Sequence, residues 1–158
     1  MTTNKNRLAD KVIALALKNV NNKKGGPFSA AIVKNGKLIS SAYNSVTAKN
    51  DPTAHAEIEA IRKAAKKLKN FDLSGCEIFS SCEPCPMCLS AVYWSGIKKI
   101  YYCADTKTAS KYGFKDEMIF KELKKPAGKR KVKQVLINNK DKNLPFKKWN
   151  LLPDKKKY

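Results

Sequence analysis

The stretch CEIFSSCEPCPMCLSAVYWSGIKKIYYCA, residues 76–104, decides the fold. It opens on CEIFSS and closes on KKIYYCA, two apolar runs of strand length. Between them PMCLSAVYWSG reads as a helix ending near Gly96, with Pro86 at its first position. Strand, helix and strand in that order form a β-α-β unit, which favours parallel pairing of the two strands. The chain is therefore read as an α/β layer domain.

Upstream, FSAAIVKNGKLISSAY (28–43) reads as two strands joined at Asn35-Gly36, a strong hairpin signal, which makes the sheet mixed. The N-terminal segment places Leu8, Val12 and Leu15 at helical spacing, with Ile13 and Leu17 alongside and Lys11 and Lys18 interrupting. That suits an amphipathic helix and not a signal peptide. Asp51-Pro52 is expected to begin a helix running to about Lys69, with Ala54, Ile58, Ile61, Ala65 and Leu68 on its buried face. Asp105–Leu123 reads as helical or irregular, KVKQVLIN (131–138) as a last strand, and LPFKKWNLL (144–152) as a short terminal helix. No repeat and no linker divides residues 1–158, so a single domain is expected.

Composition narrows the class. With 42% hydrophobic residues in 158, the chain can bury a real core. No apolar run is long enough to span a bilayer, and a cytoplasmic protein is expected. The net charge of +20 invites a nucleic-acid reading. However, lysine is spread through nearly every segment, as an AT-rich genome would produce, and arginine occurs only at Arg7, Arg62 and Arg130. A solvated lysine surface is the simpler account, and a nucleic-acid partner is not expected.

Five cysteines, an odd number at tight spacing, argue for metal binding over a disulfide framework. The single histidine, His55, stands two residues before Glu57 at the start of the second long helix. Cys85 immediately before Pro86 reads as an N-cap, which puts Cys88 in the first helical turn, where the dipole favours thiolates. Two helix N-termini could thus converge on one ion through His55, Cys85 and Cys88. Adding Cys82 would close the shell into a structural site. Against that, Cys82 ends a strand, so it points differently, and a closed site leaves Glu57 without a role. Cys76 and Cys103 read as small buried hydrophobes.

His-Ala-Glu followed by Pro-Cys-Pro-Met-Cys resembles the signature of zinc nucleobase deaminases. The resemblance implies one zinc per chain, whose open position acidifies a water, and Glu57 as the group that moves protons. GGPFSAAIVKNGKLI, NDPTAHAE, SCEPCPMC, AVYW, YGFKDEMIFKEL, the PF..W of the tail and the terminal Tyr make the whole chain similar to the bacterial guanine deaminase family. That family implies a three-layer α/β/α, cytidine-deaminase-like fold with a mixed five-stranded sheet. It also implies hydrolysis of guanine to xanthine and ammonia.

By the same resemblance Asn44 hydrogen-bonds the base, Phe28 stacks on the purine, Asp116 contacts the amino group, and Ala56 belongs to the substrate-binding set. Lys115 stands where the family's first carboxylate of an Asp-Asp pair would be. The resemblance also implies a homodimer exchanging segments from about 126 to 158, hinged near Pro126 and Gly128, with Tyr158 as a lid on the partner's site. Without it, Asn44 would read as a turn residue, Phe28 as core, Asp116 as an ordinary exposed acid and Trp94 as packing. Two alternatives stay open: a tRNA adenosine deaminase, which would use the positive charge, or another nucleobase or nucleoside deaminase, and, more distantly, a zinc-stabilised nucleic-acid-binding module without activity.

Overall fold

β1 (Ser29–Lys34) carries no charge until its last residue, and it is buried on both faces. Because side chains alternate along a strand, Ala30 and Ile32 face one way and Ala31 and Val33 the other. Each pair joins a separate cluster. Ala30 and Ile32 pack with Ala60, Ala64, Ile78 and Val92, whereas Ala31 and Val33 pack with Leu8, Val12 and Phe79. Two apolar faces require cover on both sides, hence helix, sheet and helix in three layers.

The structure, a computed structural model, describes residues 2–157. α1 (Thr2–Asn21) covers one face through Leu8, Val12 and Ala16. The β1–β2 (Lys37–Tyr43) hairpin turns at Asn35 and Gly36, both with positive φ (50° and 73°), as a tight two-residue turn demands. α2 (Val46–Lys49) is a single turn in the polar segment between β2 and the next long helix. α3 (Ala56–Leu68) and α4 (Pro86–Trp94) cover the other face. β3 (Cys76–Cys82) pairs antiparallel with β1 and parallel with β4 (Ile100–Ala104), in the order β2-β1-β3-β4. α5 (Thr106–Lys111), α6 (Glu117–Leu123) and α7 (Leu144–Asn150) follow. No helix among the described residues is long and apolar enough to cross a membrane.

Three expectations are corrected. The mixed sheet has four strands, not five. KVKQVLIN has strand-like composition but pairs with no strand among the described residues, and Val135, Leu136 and Ile137 are 80–89% exposed. Pairing partners make a strand, and propensity alone does not. The second correction concerns α3, which begins at Ala56 with His55 as its N-cap. Asp51 instead closes a local turn by accepting from Thr53 N and Oγ1, both at 2.7 Å. Thirdly, Cys76 is buried as expected but Cys103 is exposed, because β4 is an edge strand.

The chain divides into two compact units, one ending at Ile119 and the other beginning at Phe120. Within the second unit, Val132, Phe146 and Leu151 are more than 70% exposed.

Candidate active site

Two helix starts share one local design. His55 (φ −66°, ψ 154°) and Cys85 (φ −64°, ψ 169°) are extended N-cap residues of α3 and α4. In that conformation the chain turns sharply into its helix, and the cap side chain projects from the helix end. Cys88 follows within the first turn of α4, held there by Pro86 at the helix start. His55 Nδ1 stands 3.6 Å from Cys85 Sγ and 3.5 Å from Cys88 Sγ.

Those separations can be compared with what zinc needs. Bonds of roughly 2.3 Å to sulfur and 2.05 Å to nitrogen at tetrahedral angles place the two donors about 3.6 Å apart. The three ligand atoms all lie within 4.8 Å of one another, and they form the one such group among the described residues. Cys82 is outside it. Its thiol donates to the Asp105 carbonyl at 3.8 Å, and burial, the main cause, pushes it up to about 11. The donor set therefore fits zinc with a fourth position open.

The electrostatics agree with a site ready for a cation. Hydrogen bonds from Cys88 and from His55 bring Cys85 down to about 4, a thiolate at neutral pH. The same sulfur pair, with burial added, keeps the Cys88 proton on. The Cys85 partnership also raises His55. One thiolate is thus already present, and a metal would displace the proton of the second.

Glu57, in the first turn of α3, is only 5% exposed. Burial raises its carboxyl above the usual range, opposed by Ser80 Oγ, which donates to Oε1 at 2.8 Å. Cys88 Sγ lies 3.4 Å from Oε2. A buried carboxyl held above its ordinary range, beside the histidine and cysteine group, is suited to carrying protons. Ser80 escapes sequence reasoning, because one serine in the β3 run SS looks like any other. Only its inward register opposite Ala30 reveals it.

A cleft of about 280 Å3 opens on this group and is lined by Phe28, Asn44, His55, Glu57, Phe114 and Asp116 among others. It falls just below the about 300–1,000 Å3 usual for small-molecule sites. Asn44 follows β2 directly, and its Oδ1 accepts from Gly26 N and Val46 N, both at 3.3 Å. Phe28 meets Phe114 edge to face, with ring centroids 4.7 Å apart at 83°. Phe114 is a second residue the sequence leaves unmarked. The only hint is its place two residues before Asp116. Burial, chiefly, raises Asp116 above the ordinary range. Ala56 does not line the cleft: its side chain is fully buried in the core, so only its backbone could reach a ligand. Tyr158 lies outside the described residues.

Residues 2–104 match the model of the cytidine and deoxycytidylate deaminase zinc-binding region, so the chain belongs to that family. It is 45% identical over 148 residues to guanine deaminase of Bacillus subtilis (strain 168), covering 94% of this chain and 95% of that one. The X-ray structure of guanine deaminase from Bacillus subtilis superposes with a TM-score of 0.93 at 43% identity, over 97% of this chain and 98% of the other. The crystal structure of NE0047 in complex with 2,6-diaminopurine aligns with a TM-score of 0.66 at 36% identity, over 69% of this chain and 61% of that one. A tRNA-specific adenosine deaminase of Aquifex aeolicus (strain VF5) is 47% identical, but only over 49% of this chain and 52% of its own.

Proposed function

We propose that the chain is a zinc-dependent guanine deaminase, hydrolysing guanine to xanthine and ammonia as part of purine breakdown or salvage. The observation that carries this is the group His55, Cys85 and Cys88 beside buried Glu57, at one end of a cleft sized for a base. The likeness to a guanine deaminase along almost the full length supports it.

One zinc per chain, held by His55, Cys85 and Cys88, would supply an acidified water at its open position. Glu57 takes a proton from the attacking water and gives it to a ring nitrogen of the base. It then passes the remaining hydroxyl proton to the departing amine. Carbon gains oxygen, the C–N bond breaks, and ammonia leaves. Asn44 and Phe28 hold the purine edge and face, and Asp116 receives the exocyclic amino group. Ser80 keeps Glu57 in place.

The active form is read as a cytoplasmic homodimer of one-domain subunits exchanging segments from about 126 to 158. Apolar residues as exposed as Leu136, Ile137 and Leu151 are expected to be covered by something, and a second copy would do it. Five free cysteines suit a reducing compartment. Tyr158 is the candidate lid. Ammonia release from free guanine, and none from a tRNA anticodon stem-loop, tests the reading. Release from the stem-loop alone would favour the tRNA deaminase, and release from neither a binding module.

A further inference from the structure

The buried stripe of α1 runs through Leu8, Val12 and Ala16 and then, one turn on, reaches Asn19, which is 2% exposed. An apolar residue would continue that stripe. Instead Asn19 Nδ2 donates to the Gly26 carbonyl and to the Asn44 carbonyl, each at 2.9 Å. Its Oδ1 is buried and has no hydrogen-bond partner among the described residues. Turning the amide over would set that oxygen against two carbonyls, so the orientation is determined. The fold accepts one unsatisfied acceptor in order to place two donors.

Those donors grip two residues that line the cleft, Gly26 and Asn44. The loop is seated tightly, since a Cβ on Gly25 would collide with the Asn44 carbonyl. With its backbone clamped, Asn44 directs Oδ1 to the N–H groups of Gly26 and Val46. The amide end left for a ligand is Nδ2, a donor, which suits a ring acceptor of a purine.

We propose that Asn19 is a positioning residue for base recognition, fixing the Asn44 backbone so that the Asn44 carboxamide presents its donor to the base. The inference rests on the reading of Asn44 as a base contact. It adds a residue on a different element, outside the cleft, that acts on the base through Asn44, whose backbone it ties to that of Gly26.

A double-mutant cycle on the zinc-loaded enzyme tests it, with guanine as substrate. Asn19→Ala is expected to raise KM by about 5- to 10-fold, the worth of one ordinary hydrogen bond, with kcat within about twofold. In an Asn44→Ala background the same change is expected to move KM less than about twofold, because the residue it acts through is gone. Asn19→Leu, which matches the shape and removes the orphan acceptor along with the donors, is run through the same cycle, so that poor folding of the alanine variant does not decide the matter. Equal KM changes in both backgrounds, or an unchanged KM in Asn19→Leu, would overturn the inference. A wild-type KM in Asn44→Ala would overturn the assignment of Asn44 itself, a separately recognisable failure.

Discussion

Replacing Glu57 by glutamine separates proton transfer from everything else that residue does. The side chain is buried and has two neighbours, Ser80 Oγ at 2.8 Å on Oε1 and Cys88 Sγ at 3.4 Å on Oε2. Glutamine keeps the volume, can still accept from Ser80, and can donate from its amide nitrogen to the Cys88 sulfur. Packing is therefore preserved, and stability is expected to shift by less than about 1 kcal/mol, roughly 2–4 °C in Tm for a chain of this size. What disappears is the capacity to take a proton. General acid–base groups contribute about 10²–10⁴-fold, so kcat is expected to fall by that factor, or about 3–5 kcal/mol of barrier. KM is expected to stay within a few-fold. The assay follows xanthine and ammonia, with zinc measured on the same sample. Ser80→Ala is the control: it loses one hydrogen bond to a charged group, worth about 1.5–3 kcal/mol, but keeps the carboxylate. Its loss in kcat is expected to be the smaller of the two. A fully zinc-loaded Glu57→Gln enzyme with kcat within tenfold of the parent would refute the role.

Cys85→Ala is expected to lose zinc and activity together, because three ligands leave none spare, whereas Cys82→Ala keeps its zinc; metal analysis that finds the reverse would restore Cys82 to the shell. Asp116→Asn is expected to lower turnover while leaving Tm unchanged within about 2 °C, since the residue lines the cleft and is only partly buried; an equal loss of both would make it structural. Glu59, 10% exposed at its side chain, is held below its ordinary 4.5 first by a hydrogen bond from Lys49, with Arg62 adding a second ion pair. A depressed carboxyl stabilises the fold above about 4.5 and loses that contribution as pH falls through the folded value, so Glu59→Gln is expected to cost about 1 kcal/mol at pH 7 and progressively less below pH 4.5. A cost independent of pH in thermal melts would contradict this. Deleting Lys155–Tyr158 is expected to leave a folded, zinc-loaded dimer with impaired guanine turnover, and full activity or a monomer by light scattering would remove the exchanged lid.

The sequence by itself determined the elements whose signals are local. Asn35-Gly36 turns a hairpin because its positive φ values suit those residue types, and Pro86 after Cys85 starts a helix because proline needs no amide donor there. The metal group was legible for the same reason, since both N-caps place their side chains by local backbone geometry. Pairing and encounter belong to the tertiary structure. KVKQVLIN has the composition of a strand, yet a strand requires another backbone beside it, which no single segment can announce. Ser80 finds Glu57 across 23 residues of sequence, and Phe114 finds Phe28 across 86. Asn19 reaches Asn44 from α1, across 25 residues of sequence. Long-range contacts of this kind depend on register and layer packing, which place the groups around Glu57 and Asn44 only once the sheet and its covering helices have formed.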